Sequence, residues 1–469
     1  MGYVFFDTET TGLDTAFDQI LQFGAILTNA NFEEIDRFNI RCRLMSHVVP
    51  SPKAMLITSI NSQQLLDASL PSHYEMIQAI YKRLESWPPA VFIGWNSIKF
   101  DEELLRQAFY QALHYPYLTN SQNNCRSDAL RIARVISALE PTKIQVSLND
   151  YGKPSFRLED IATANGFEWH NLHDAIGDAE ATMFLCRLME RNAPDIWSHA
   201  MKFSQKAAAR SFIEEEEIFV HIPSNFNEVE PSLVMQIGES KKDKNALYVY
   251  DLSYAPESLS TLSESKLRET LAWPHKAVIP LKINASPMMQ YPEDVPEHLY
   301  ADCLSPEVQK ARYEKIRDDE KFRNRLISIM EDAAFPTIAT SFVEREIYQG
   351  FLSGENWPVA RQFHAADWRR RADLVQYFPD PRLRRLALRL VLESAPHILR
   401  PEDRQKSYAA LFGRLNGKSE ENKRPRSFDG AIEEAKLLLK SDQHDKSQVL
   451  AIVEFLETRK NEIVFDQAT

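Results

Sequence analysis

Asp7 and Glu9 are the first residues in the chain whose types and spacing could do chemistry. They follow an apolar run, Tyr3-Val4-Phe5-Phe6, long enough for a buried strand, and Gly12 then breaks the pattern. Side chains alternate along a strand, so acids two residues apart point to the same side. Two carboxylates on one face at the end of a core strand repel each other and lose hydration, which is costly unless a cation compensates. Hard cations take oxygen ligands, and Mg²⁺ or Mn²⁺ suits this donor set. The pair by itself also fits an exposed strand end with two solvated acids, so acids elsewhere must decide.

Asp101 and Asp178 supply them. Asp101 opens a helix whose apolar stripe is Leu104, Leu105, Ala108 and Phe109, and it leads that stripe at helical spacing. Its carboxylate is therefore expected to face the sheet; the plainer alternative is an N-cap aspartate. Asp178 stands in the same relation to Ala181, Phe184, Leu185 and Leu188. His173 lies five residues before Asp178, roughly 140° around a continuous helix. It is expected in the loop before the helix, free to swing toward the acids, or else as a surface histidine.

The elements that must position these groups can be read from periodicity. Ile20 to Leu27 is a second apolar run, and Ile35 to Ile40 alternates as a half-exposed strand does, with a turn at Ala30-Asn31. Tyr74, Ile77, Ile80, Tyr81 and Leu84 recur at helical spacing, Trp87-Pro88-Pro89 stops that helix, and Ala90 to Gly94 forms a short core strand. A meander followed by strand and helix in alternation predicts an α/β fold with a mixed sheet.

Asp7-Thr8-Glu9-Thr10-Thr11-Gly12, then Asn96 to Asp101, then His173 to Asp178 resemble in identity, order and spacing the three motifs of the DEDDh 3′→5′ exonucleases, over residues 3 to about 190. Within that superfamily the chain resembles the bacterial exonuclease I family most. Pro154 to Glu159, Ala164-Asn165-Gly166 and His173-Asp174-Ala175 carry the likeness, with Asn245-Ala246, Lys282-Ile283-Asn284 and Tyr348 to Ser353 further on. The resemblance implies a ribonuclease H-like mixed sheet with flanking helices at 1–190. It also implies an SH3-like β domain with a helical insert at 195–347 and a helical C-terminal domain at 350–469.

A two-metal mechanism joins that resemblance to the chemistry: two Mg²⁺ about 4 Å apart can clamp the attacking and leaving oxygens of a phosphoryl displacement, and Mn²⁺ can substitute. Asp7, Glu9 and Asp178 would hold the metals, Asp101 would bind one more loosely through water, and His173 would be the general base. The family implies single-stranded DNA as substrate, degraded from the 3′ end to 5′-mononucleotides in repair and recombination. A single-strand DNA-binding protein is the implied partner. Glu9 and Arg157 are expected substrate contacts, Arg157 as a phosphate-gripping arginine or a surface one. Arg106, Tyr117, Arg134 and Lys206 stand where the resemblance places DNA contacts, each with a structural role as its alternative. Leu13 either wedges against the terminal base or packs into the core.

The remaining sequence bounds these readings. The 469 residues allow about three domains. No apolar run approaches the ~20 residues of a membrane span, and no signal peptide precedes Tyr3. Cys42, Cys125, Cys186 and Cys303 show no CxxC spacing, which fits a reducing cytoplasm and a likeness to no zinc site. The net charge of −12 rules out coating nucleic acid by sheer positive charge and calls for a focused basic groove.

Ile218/Val220/Ile222, Leu233/Met235/Ile237, Leu247/Val249 and Ala277 to Ile283 alternate as short strands, and turns are expected at Pro223-Ser224-Asn225 and 241–245. From Asn356 onward no strand is expected, and 413–430 reads as a loop between helices. Trp368 to Arg371 with Arg382, Arg384, Arg385 and Arg389 forms the most basic stretch, either a DNA path or a solvated helix face. A monomer is expected. The rival activities are an exoribonuclease or oligoribonuclease, and, in another class, a non-catalytic single-strand-binding protein on a nuclease fold.

Overall fold

β1 (Gly2–Thr10) is buried along almost its whole length and forms the centre of a five-stranded sheet. β2 (Ile20–Thr28) pairs with it antiparallel, from Tyr3 opposite Thr28 to Glu9 opposite Gln22, and a bulge between Glu9 and Thr10 ends the regular ladder. β3 (Glu34–Arg41) continues the meander as an edge strand with alternating exposure. β4 (Ala90–Gly94) and β5 (Cys125–Asp128) add on the other side of β1, both parallel, giving the order β3-β2-β1-β4-β5. These features belong to a computed structural model that describes residues 1–58, 62–169, 173–223, 229–272, 277–300, 304–333, 342–415, 425–441 and 444–468.

Alternation along β1 sorts its side chains onto two faces. Tyr3 and Phe5 pack with Ile132, Val135 and Ile136 of the helix Ala129–Leu139 and with Ala181 and Leu185 of the helix Ala175–Asn192. Val4 and Phe6 pack on the other side with Ile77 and Ile80 of the helix His73–Ser86 and with Leu104, Leu105 and Phe109 of the helix Asp101–Gln111. A sheet with helices on both faces buries near-continuous apolar strands, which is why β4, most of β2 and the Tyr3–Phe6 half of β1 are apolar. The His73–Ser86 helix starts on a capping box, Ser72 and Glu75 satisfying each other's backbone N–H groups.

A second five-stranded sheet is wholly antiparallel. β6 (Phe219–His221), β7 (Ser232–Glu239), β8 (Ala246–Asp251), β9 (Val278–Lys282) and β10 (Met289–Gln290) take the order β10-β6-β7-β8-β9. The four runs expected as strands all form; β10, only two residues long, gave no periodic signal. Helices at Pro256–Ser260, Glu264–Leu271, Pro306–Asp318 and Glu320–Ala333 accompany this sheet. Residues 224 and 225 of the expected turn at Pro223 lie outside the described residues, as does Cys303.

Among the described residues beyond 342 the regular elements are helical. Their apolar faces join the first sheet's core: Phe363, Phe378, Leu383 and Leu386 cluster with Ile77 and Phe109. Leu411, Phe428, Ile432 and Val449 cluster with Leu21, Val48 and Val49. The loop expected at 413–430 is shorter than anticipated. Residues 413–415 form a helical turn, and a helix already begins at Phe428, with the Ser427 side chain accepting from the Gly430 N–H. Residues 416–424 of it lie outside the described residues.

Candidate active site

β1 delivers Asp7 and Glu9 to the face covered by the Ala175–Asn192 helix, as the two-residue spacing requires. That helix comes close because β2 carries Gly24 opposite Asp7: a Cβ on Gly24 would lie 2.5 Å from the Ala175 carbonyl carbon and the Ile176 nitrogen. The approach brings Asp178, in the first turn, over the strand end. One carboxylate oxygen from each of Asp7, Glu9 and Asp178 lies within 4.8 Å of the others. Of the expected stripe the helix buries Ala181 and Leu185 fully, together with Ala175, Ala179, Thr182, Cys186 and Met189, while Phe184 and Leu188 are half-buried.

Asp101 arrives from the opposite side of the sheet, because its helix packs on the Val4/Phe6 face. Thr8 alternates to that face, and its hydroxyl donates to Asp101 Oδ1 at 2.6 Å. Asp101 is 4% exposed and stands outside the three-acid cluster, adjacent to it through Asp7.

The electrostatics of the cluster favour a cation. Burial, followed by the neighbouring carboxylates of Asp101, Asp178 and Glu9, pushes Asp7 well above the ordinary carboxylate range. Burial and then Asp178 push Glu9 up to about 8, and burial and then Asp174 push Asp178 up to about 7. Burial raises Asp101 to about 7 against the opposing Thr8 hydrogen bond. Acids crowded and desolvated this way hold protons unless a positive charge replaces them. Oxygen-only donors of this kind match a hard divalent cation, so the chain presents a divalent-metal site.

His173 sits in the turn before the helix, in the left-handed region at φ 56°, and half-exposed. Its Nε2 is 3.9 Å from Glu159 Oε2. Asp174 is the residue just before the helix; its side chain makes no capping bond and is held instead by Arg41 Nη2 at 3.0 Å and by the amide of Gln22. Residues 170–172 lie outside the described residues.

The other expected contacts scatter more widely. Arg157 is the residue just before the Leu158–Ala164 helix rather than in its first turn, and its exposed side chain pairs with Glu159. Arg106 is largely buried, donates to Glu103 and to the Tyr348 hydroxyl at 2.9 Å each, and lies over the Tyr117 ring. Arg134 lies over Phe156, and burial lowers its pKa. Lys206 is exposed and donates to Asn245 Oδ1 at 2.6 Å, beside the second sheet. Leu13 is 82% exposed, so it does not pack into the core.

The basic stretch is mostly committed internally. Arg382 binds Asp380 and the carbonyls of Glu346, Gln349 and Gly350, Arg389 binds Glu344 and Gln111, and Arg385 pairs with Glu346. Arg371 donates to the carbonyls of Phe363 and His364, and Arg384 to that of Phe378. Arg369, Arg370, Arg384 and Arg385 are exposed.

Asp128 is a buried structural residue beside the site that the sequence reading did not single out. It is buried at the end of β5, caps the Ala129–Leu139 helix, and accepts from the backbone N–H groups of Asn96 and Ile98 at 3.0 and 3.3 Å. Those bonds fix the turn that leads from β4 to Asp101, including Asn96 at φ 62°. An aspartate two residues before Leu130 and four before Ile132 was the available N-cap signal.

Comparison with known proteins agrees with this geometry. A family model described as Exonuclease matches residues 4–185, and one described as Exonuclease I C-terminal domain matches residues 341–459. Exodeoxyribonuclease I of Escherichia coli (strain K12) is 27% identical over 487 residues, covering 98% of both chains. The crystal structure of E. coli exonuclease I in complex with a dT13 oligonucleotide superposes with a TM-score of 0.85 at 25% identity, covering 98% of this chain and 99% of that one. An exonuclease I from Methylocaldum szegediense has the same fold at 23% identity, with a TM-score of 0.86 over 99% of both chains. The acids at the end of β1, their partners on two helices and the helical C-terminal region thus place this chain in the exonuclease I family of DEDDh nucleases, hydrolases of phosphodiester bonds.

Proposed function

We propose that this nuclease removes nucleotides one at a time from the 3′ end of single-stranded DNA, releasing 5′-mononucleotides, as part of DNA repair and recombination. The observation that carries the reading is the convergence of Asp7, Glu9 and Asp178 within 4.8 Å, inside the segment that matches an exonuclease. The relatives are named for action on DNA, and the E. coli neighbour was crystallised with a single-stranded oligonucleotide.

Asp7, Glu9 and Asp178 would hold two Mg²⁺ ions, with Asp101 as the outermost ligand through water and Mn²⁺ as a substitute. When bound, the metals supply charge stabilisation at the phosphate and lower the pKa of a water. The protein groups do the rest. His173 takes the proton of the attacking water, whose oxygen joins the phosphorus as the bond to the 3′-oxygen of the penultimate nucleotide breaks; that oxygen leaves protonated on the shortened strand. Glu159, 3.9 Å from His173 Nε2, orients the imidazole. Arg157 extends into solvent from the adjoining helix start, where it pairs with Glu159, and would exchange that partner for a backbone phosphate. Arg106, Tyr117, Arg134 and Lys206 would touch DNA further from the chemistry, although Arg106 and Arg134 must first leave their present partners.

In the same reading the chain works as a cytoplasmic monomer of three domains at 1–190, 195–347 and 350–469. The middle one is an SH3-like β domain, and a single-strand DNA-binding protein is a partner. No helix among the described residues is long and apolar enough to cross a membrane.

One assay tests the function: DNA and RNA strands with free or blocked 3′ and 5′ ends, with Mg²⁺ or with chelator. The expected result is mononucleotide release from free 3′ DNA ends only, abolished by chelation. Preference for RNA would move the assignment to an exoribonuclease, and hydrolysis in chelator would overturn the metal site.

A further inference from the structure

The loop that follows the metal-binding strand is fixed from the far end of the chain. It runs from Gly12 to Asp18, three residues beyond Glu9, and carries Leu13 exposed at its tip. Inside the loop, Asp18 accepts from the Thr11 hydroxyl at 2.9 Å and from the Asp14 N–H at 2.8 Å, and Asp14 Oδ1 accepts from the Ala16 N–H at 3.0 Å. These bonds give the loop a shape but do not say where it sits.

Its underside lacks the packing that would fix it. A cavity of about 330 Å³ opens there, lined by Phe17, His73, Gln107, Gln111, Arg414 and Arg426 among others. Gln107 Oε1 and His73 Nε2 are buried in that lining without hydrogen-bond partners. A loop over a polar void has no close-packed core to hold it, so its position depends on directional contacts. Those contacts come from residues more than 300 positions away. Arg345 Nη2 pairs with Asp14 Oδ2 at 2.6 Å, and Arg426 Nη1 pairs with Asp18 Oδ1 at 3.1 Å while also donating to the Val49 carbonyl. The Arg345 guanidinium lies 4.8 Å from the Phe17 ring centroid, and Phe342 meets the same ring edge-on. Gln111 adds one bond from the Asp101–Gln111 helix, to the Ala16 carbonyl at 3.0 Å.

We propose that Arg345 and Arg426 are positioning residues: by holding Asp14 and Asp18 across the cavity, the C-terminal region sets where Leu13 meets the 3′-terminal nucleotide. This rests on the nuclease reading above. It explains why a catalytic sheet carrying all its acids within the first 178 residues is covered by a helical region that contributes none of them. Each pair is partly screened by solvent, so each has a modest effect, and the two act together on one short loop.

The test uses the full-length protein and steady-state hydrolysis of a single-stranded DNA. The Arg345→Gln/Arg426→Gln variant is expected to raise KM about tenfold with kcat changed less than about twofold, the scale of two partly buried ion pairs. Arg345→Lys/Arg426→Lys should restore most of the loss. Leu13→Ala should raise KM similarly, and combining it with the Gln pair should add little, because both changes act through one contact. A structural defect elsewhere would multiply with Leu13→Ala instead, and that result, or an unchanged KM, overturns the clamp. If the double variant does not melt cooperatively, Arg345→Gln alone goes through the same cycle. If the unmodified protein shows no metal-dependent hydrolysis of DNA, the functional reading fails and the KM claim with it; wild-type activity with indifferent variants removes the clamp alone.

Discussion

At the residue scale the site is built from carboxylates that crowd one another at a buried strand end. Asp7 is crowded by Asp101, Asp178 and Glu9 in a desolvated strand end, and its carboxyl holds a proton far above the usual range. Replacing it with asparagine keeps the shape and removes the repulsion. Asp7→Asn should therefore lower turnover in Mg²⁺ by on the order of 10³-fold or more while raising the melting temperature of the chelated protein. The rise should be about 1 °C for each kcal/mol relieved in a chain of 469 residues. Turnover and melting measured on the same preparation check both halves, and a variant that is active or less stable in chelator would refute the cage. By the same logic Mg²⁺ should stabilise the wild type and leave Asp7→Asn nearly unmoved.

At the element scale, approach distances decide whether the acids meet. Gly24 lets the Ala175–Asn192 helix touch β2, and no other residue type leaves that space. Gly24→Ala should push the helix start outward, destabilising by about 1–3 kcal/mol. It should also weaken metal affinity, since Asp178 rides on that first turn. Calorimetric Mn²⁺ titration separates the two effects: unchanged affinity with lowered stability would mean that Asp178 is placed by something else. Asp128 plays the corresponding part for Asp101, pinning the Asn96–Ile98 turn by its backbone.

At the scale of the whole molecule, the seam between the first sheet's helices and the C-terminal helices carries buried neutral histidines. His114 and His364 stack at 4.1 Å, near Tyr74, Lys82 and Arg371. Burial foremost lowers His114 to about 2 and His364 to about 4. With lowered folded values, the unfolded chain takes up protons first as pH drops below the ordinary ~6.5. Stability from this seam is thus complete above about pH 6.5 and is lost progressively as pH falls, to about 4 for His364 and on toward about 2 for His114. Urea midpoints at pH 7, 5.5 and 4.5 should decline, and His114→Phe should flatten the decline; an unchanged slope would place the acid sensitivity elsewhere.

Charge also acts at this scale. A chain of net charge −12 must bind DNA through a local basic path, so affinity should be salt-dependent. About four phosphate contacts would weaken binding about 50-fold between roughly 50 and 200 mM salt. Binding that is flat over that range would remove the groove from the account. The path is not the 368–389 stretch as a whole, since Arg371, Arg382, Arg384, Arg385 and Arg389 are spent on carbonyls and carboxylates of the chain itself.

The sequence by itself determined the chemistry and the elements that carry it. Asp7 and Glu9 share a face because strands alternate, and Asp101 and Asp178 lead apolar helical stripes because helices repeat every 3.6 residues. Both signals are local, so they survive without knowledge of the fold. Only the tertiary structure decided that Asp101 enters from the opposite face of the sheet, that Gly24 admits the Asp178 helix, and that Arg345 and Arg426 hold the loop after Glu9. It also decided that Leu13 is exposed and that most of the arginine run is paired with groups of the chain itself. These facts depend on contacts between residues tens to hundreds of positions apart, where periodicity carries no information and only packing and charge pairing choose the partner.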